Sequence, residues 1–141
     1  MFLNTSYHGQ KEYNEEDIII FEKGLPGFED NKKYIIFELE DNEFFNILHS
    51  VDDPTLGFIV VSPFSVVENY ELVLNDDKIM ELQVEKPEDV LLMNIVTLNS
   101  SIENITVNLQ APIVINIKCK LGEQIIIAGD KYSVRSPLVK K

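Results

Sequence analysis

NLQAPIVINIKCKLGEQIII, residues 108–127, is the stretch on which the fold turns. Its central run places Ile113, Ile115, Ile117 and Cys119 at odd positions, and Val114, Asn116, Lys118 and Lys120 at even ones. An apolar residue at every second position marks a half-buried strand, because successive side chains leave a strand on opposite faces. The odd positions are therefore expected inward, with Cys119 as an inert core thiol. KLGEQ, residues 120–124, reads as a hairpin turn in which Gly122 takes positive φ, and QIIIAG carries on as another strand. Upstream, Ala111 and Pro112 divide the stretch into two strands or one bulged strand, since proline has no N–H for a ladder and a small residue permits a bend.

Similar short runs fill the rest of the chain. DIIIF, KYIIFEL, FFNILHS, LGFIVVS, YELVL and VLLMNIVTL are separated by turn residues, a length and punctuation that suit strands better than helices. The sequence has 17 Ile and 13 Val but only two Ala, a bias toward pleated surfaces, although AT-rich codon usage also depletes Ala. Two segments read as short helices. DDKIMELQ, residues 76–83, has Asn75 or Asp76 as N-cap and acids in its first turn. KPEDVLL has Pro87 at a first helical position. With 141 residues and no internal repeat or linker, the expectation is one domain, 1–141. It should be mainly β, a small antiparallel barrel-like or sandwich domain with one or two short helices.

GLPGFED, residues 24–30, follows an apolar run and is glycine-rich, as phosphate loops are. A phosphate loop ends in Gly-Lys-Ser or Gly-Lys-Thr and opens a helix. Here acids and a β-like run follow instead. Leu25-Pro26-Gly27-Phe28 fits a type II turn, with proline presetting φ and glycine supplying positive φ. Gly24, Pro26 and Gly27 thus read as a rigid corner between strands. Leu25 and Phe28 either fold back over the core or remain exposed as a contact for a partner.

Charge narrows the function classes. The chain carries 24 acidic and 12 basic residues, a net charge of −12. Residues 1–70 hold 14 acids and four bases, while residues 71–141 hold ten and eight. So acidic a first half repels nucleic acid and lipid phosphate and draws in basic partners, or it serves solubility alone. No apolar run approaches the length of a membrane span. MFLNTSYHGQKEYNEED lacks the basic start and apolar centre of a signal peptide, and the single Cys119 forms no internal disulfide. Cytoplasmic residence is the simplest expectation.

Catalytic constellations are hard to assemble. The two histidines are His8, near the N-terminal end, and His49, in HSVDDP. Ser50, His49 and Asp52 or Asp53 have the residue types of a triad, but neighbours on a strand face opposite ways, so His49 is read as a surface or strand-end residue. Cys119, His8 and His49 show no metal-ligand spacing, and Asp52-Asp53 and Asp76-Asp77 lack a calcium-loop pattern and suit turns and caps. Neither a metal nor another cofactor is expected. A small-molecule-binding β-barrel is the alternative from another class; it requires a cavity that the abundant Ile, Val and Phe would more simply fill.

FEKGLPGFED, SVDDPTLGFIVVSPF, NLQAPIVINIKCKLGEQIII and YSVRSPL occur in that order over about residues 18–138. This ordered set resembles the FliW family of bacterial flagellar assembly factors. The resemblance implies a small, largely β, non-enzymatic domain that binds flagellin in the cytoplasm as a chaperone. When flagellin is exported, the released protein would bind the RNA-binding translational regulator CsrA, away from its RNA-contacting surface, and relieve repression of flagellin translation. A monomer that joins hetero-complexes is implied, without direct nucleic-acid or membrane binding. Among the matched positions, Gly24, Pro26 and Gly27 make the corner, Asp53 and Pro54 begin the approach to LGFIVV, Pro63 ends that strand, and Ala111 and Pro112 mark the break. Asn108 and Asn116 are expected as capping or turn-bonding groups. Glu12, Glu15, Glu16 and Asp17, with Leu25, Phe28 and Arg135, are the candidate partner-binding residues. Arg135, the only arginine, would form a surface ion pair or reach a partner carboxylate.

Overall fold

A computed structural model describes residues 1–40 and 42–138. β1 (Phe2–Thr5) and β2 (Gly9–Glu12) form an N-terminal hairpin. A 3-10 turn at Glu15–Asp17 leads into β3 (Ile19–Ile20), β4 (Lys33–Leu39), β5 (Asn42–Ser50) and β6 (Gly57–Val61). Beyond a second 3-10 turn at Pro63–Ser65 the chain reaches α1 (Asp76–Glu81). β7 (Val90–Thr97), β8 (Thr106–Val107), β9 (Ile113–Asn116), β10 (Leu121–Gln124) and β11 (Ser136–Pro137) complete the order.

Seven of these strands close on themselves. The ladder runs β7–β6–β5–β4–β3–β10–β9 and returns to β7, because β9 pairs with both β10 and β7. Every pairing in the ring is antiparallel except β10 with β3, a short parallel join at Leu121 and Ile20. Closure removes exposed edges around the ring. β8 extends β7 on one side and carries β11 in turn.

The two-residue side-chain period sorts the core into two parts. Tyr34, Leu48, Val60, Met93, Ile113 and Ile115 point into the ring and pack with Phe21 and Leu25. These side chains fill the barrel, as the abundance of Ile, Val and Phe foretold. On the outer face of β6 and β7, Val61 and Val96 pack with Val66, Tyr70, Val107 and Leu109, half-buried Tyr132 and Leu138 lying against them. The C-terminal segment is therefore a cover for this second core. Leu138 N–H donates to Ile105 O, and Tyr70 Oη donates to Leu109 O at 2.6 Å.

Several expectations change in the details. Ile113–Asn116 is buried on both faces, since Ile113 and Ile115 enter the barrel while Val114 and Asn116 are covered from outside. The strand stops at Asn116: Ile117 and Cys119 are exposed, so alternation does not continue and Cys119 is no core thiol. The hairpin turn falls at residues 117–120, where Lys120 adopts φ of 59°. Gly122 lies inside β10; it is needed because a Cβ there would sit 2.6 Å from the Phe21 ring. YELVL and QIIIAG are not strands beyond Gln124, and KPEDVLL forms only a 3-10 turn at Pro87–Asp89 before β7. The N-terminal hairpin, mostly polar apart from exposed Phe2 and buried Leu3, went unpredicted.

The punctuation fared better. Asn75 caps α1 by accepting from Lys78 N–H at 2.9 Å. Pro63 follows β6 directly after Ser62, and Ala111 and Pro112 lie between β8 and β9 as separate strands. Asp53 accepts from Thr55 N–H and Oγ1, so it anchors the turn that carries Pro54 toward β6.

Candidate partner-binding surfaces

The four N-terminal acids lie between the hairpin and the barrel. Glu12 ends β2, and Glu15, Glu16 and Asp17 form the following 3-10 turn; all four are exposed. Asp17 has a local task, since its carboxylate accepts from Asn14 N–H at 2.8 Å. None of the four joins an ion pair among the described residues. Their charge is thus uncompensated at short range, which makes a field that reaches into solvent over roughly a Debye length, ~10 Å at 0.1 M salt.

The corner resolves the two apolar residues differently. Phe28 N–H donates to Leu25 O at 2.8 Å, and Gly27 adopts φ of 86°. This is the positive-φ turn that Pro26-Gly27 encodes. Leu25 is buried in the barrel core, which removes it from any partner surface. Phe28 meets Phe58 edge-on, centroids 5.5 Å apart, and remains 41% exposed. Of the pair, only Phe28 offers apolar area to a partner. Gly24 is more constrained: its φ is 65°, and a Cβ would lie 2.6 Å from Glu29 Cα.

Arg135 is exposed and enters none of the ion pairs found among the described residues. It precedes β11, which joins the sheet only through β8, whereas the acids precede β3. The fold therefore does not gather the candidate residues into one site. Acids and Phe28 flank β3 in sequence; Arg135 belongs to the cover of the second core.

Sequence reasoning missed a histidine pair. His8 is half-buried in the N-terminal hairpin, where Thr5 Oγ1 accepts its backbone N–H at 2.8 Å; it is not part of a loose end. Its ring meets Phe37 and His49 edge-on, at 6.0 and 6.3 Å between centroids. His49 is buried, at 1% exposure, so the surface reading fails although the strand-end position holds. Its Nδ1 lies 2.8 Å from Ser50 O, and its Nε2 has no hydrogen-bond partner among the described residues. Gly57 makes room for the ring: a Cβ would come within 2.6 Å of His49 Cδ2. Ser50 Oγ donates to Asn31 Oδ1 and accepts from the Asp52 and Asp53 N–H groups, so the hydroxyl is engaged with a turn, not with His49. Burial, with His49 and Lys11 nearby, lowers the His8 pKa below 6.5. No signal in one sequence joins residue 8 to residue 49; it follows from how the hairpin lies on β5.

Asn116 is the other buried polar anchor. Its Nδ2 donates to Leu82 O and Gln83 O, while its Oδ1 accepts from Lys118 and Cys119 N–H. Asn108 Oδ1 similarly accepts from Ala111 N–H. Both asparagines are turn-bonding groups, as their position beside the breaks predicts.

These features define a closed β-barrel domain with a filled interior, an outer second core and an uncompensated acidic rim. The FliW protein family model matches residues 2–138. Similar proteins described as flagellar assembly factor FliW include one from Clostridium botulinum (strain Okra / Type B1), 54% identical over all of this chain and 99% of its own. Another, from Clostridium novyi (strain NT), is 55% identical with the same coverage. A crystal structure of the flagellar assembly factor FliW superposes with a TM-score of 0.90 at 41% identity, covering 99% of this chain and 98% of that one. The chain belongs to the FliW family.

Proposed function

We propose that this chain is a non-enzymatic flagellar assembly factor that acts by exchanging protein partners. It binds flagellin in the cytoplasm as a chaperone. Once export removes flagellin, it binds the translational regulator CsrA and relieves repression of flagellin synthesis. The observation that carries this reading is the likeness to flagellar assembly factors along almost the whole chain. The surface supports it: Glu12, Glu15 and Glu16 are exposed acids without described ion-pair partners, a field suited to a basic RNA-binding protein. Acid held beside an RNA site also raises the cost of retaining phosphates there. No catalytic role is assigned to His49, whose accessible chemistry is blocked by burial.

The test is a tagged capture from cells early in flagellar growth, with bound proteins identified by mass spectrometry. Flagellin and CsrA in separate complexes are expected. Recovery of folded bait without either protein, and with a co-purifying small molecule, would transfer the case to a ligand-binding barrel.

A further inference from the structure

Residues 1–13 form a sheet of their own. β1 and β2 pair only with each other, and reciprocal hydrogen bonds between Met1 and Tyr13 close the open end of the hairpin. Among the described residues a single hydrogen bond joins this hairpin to the barrel, from Ser6 N–H to Pro54 O at 2.8 Å, and no ion pair does. A two-stranded hairpin by itself is marginally stable in water. Its attachment therefore falls to side chains: buried Leu3, and the groups gathered around the Phe37 ring.

Phe37 on β4 and His49 on β5 stack with 6.2 Å between centroids. From the hairpin, Lys11 Nζ lies 4.9 Å from the Phe37 centroid, and the His8 ring meets both aromatic groups edge-on. One cation thus already occupies the cluster. His49 Nδ1 faces the Ser50 carbonyl, which can only accept, so Nδ1 carries the hydrogen and the buried Nε2 holds a bare lone pair. Among the described residues no carboxylate pairs with His8, His49 or Lys11. Glu38 and Glu40 share only the open cleft of about 780 Å³ that His8 and Lys11 also line. Asp53, on the turn after β5, feels the charge of His49, but its carboxylate is engaged by Thr55. A proton on the half-buried His8 ring would therefore place a second cation near Lys11 without an acidic partner, which is the reason its pKa lies below 6.5. With the hairpin lifted, the same ring takes its proton in water.

We propose that the N-terminal hairpin is an acid-released flap: protonation of His8, beside His49 and Lys11, lifts residues 1–13 from β4 and β5 while the barrel stays closed. Release uncovers Phe37 and His49 and moves Glu12, which belongs to the hairpin, out of the acidic rim. Amide hydrogen exchange of the full chain without any partner tests it, each rate being divided by that of an unstructured chain at the same pH. Ser6 N–H reports the flap, because its bond to Pro54 O is the one that crosses to the barrel; Val51 N–H, bonded to Lys33 O at 2.9 Å, reports the ring. Between pH 7.5 and pH 5.5 the protection of Ser6 N–H should fall about three- to tenfold, since one proton taken up shifts an equilibrium by at most about tenfold per pH unit. At pH 5.5 it should stand at least tenfold below that of Val51 N–H, as local opening requires. His8→Gln should remove most of the fall. Lys11→Met, whose side chain still covers Phe37, should shrink it, and repeats the test where His8→Gln does not fold. Ser6 protection that ignores pH, or that falls as far in both variants as in the wild type, would overturn the proposal. Equal protection of Ser6 and Val51 at pH 5.5 would also overturn it, because the hairpin would then open only with the barrel.

Discussion

At Gly24 two constraints meet, a φ of 65° and backbone 2.6 Å from where a Cβ would stand. Gly24→Ala must therefore strain its own conformation and displace Glu29, at a cost of roughly 2–4 kcal/mol. Gly27 also has positive φ, 86°, but open space around it, so Gly27→Ala should cost only about 1–2 kcal/mol. Urea denaturation of both variants checks the order; equal losses would show that the Glu29 contact is irrelevant. At His8, burial holds the folded-state pKa below 6.5. The unfolded chain thus takes up a proton near pH 6.5 that the folded chain refuses until lower pH. Stability should fall as pH drops through 6.5, where Lys11 and His49 face the ring, and level off below the folded value. His8→Gln should flatten this part of the stability–pH curve, measured between about pH 7.5 and pH 5.5. An unchanged slope in the variant would place the dependence elsewhere.

Buried polar groups help the apolar packing to hold the elements in register. Asn116 ends β9, shapes the turn into β10 and ties the end of α1 to both, through four hydrogen bonds from one buried side chain. Asn116→Ala leaves two carbonyls and two N–H groups without it and should destabilise by about 2–4 kcal/mol in chemical denaturation. A loss below about 1 kcal/mol would mean that water replaces the side chain at little cost.

This same element marks the limit of what the sequence discloses. Alternation and turn chemistry made most barrel strands legible, because period, proline and glycine act locally. The stop at Asn116 was not legible: Ile117 and Cys119 keep the apolar period, and only the side-chain bonds of Asn116 reveal where the chain turns. Gly122 misled for a related reason, since glycine permits positive φ but here it avoids a clash with Phe21, a contact across ~100 residues. YELVL has a strand's composition yet pairs with nothing described, and composition does not encode whether a partner edge is present. Of the candidate surface, exposure of the acids follows from charge. The separation of Leu25 from Phe28, and of Arg135 from both, depends on packing.

For the whole molecule, the leading question is how a net charge of −12 is used. Much of the second half is internally compensated. Lys78 joins Glu81 and Glu123, Lys23 reaches the same two carboxylates, and the Lys78 pKa is raised chiefly by its hydrogen bond to Glu123. The rim at Glu12, Glu15 and Glu16 has no such described pairing. Replacing these three with Gln, and Asp17 with Asn, should slow association with CsrA by about tenfold or more at low salt and by much less near 0.5 M, as steering is screened. Stopped-flow association rates across salt decide this. An equal loss at both salts would show direct contacts, and no loss would free the rim of any role.

The central claim is that one barrel serves two partners in turn, and a competition with purified proteins tests it most directly. The chain is first saturated with CsrA, flagellin is then added, and the species are separated by size-exclusion chromatography with RNA binding by CsrA followed in parallel. The account predicts that flagellin displaces CsrA and that displaced CsrA again binds flagellin messenger RNA. A stable ternary complex in which CsrA stays off RNA, or no binding of either protein to the folded chain, would contradict it.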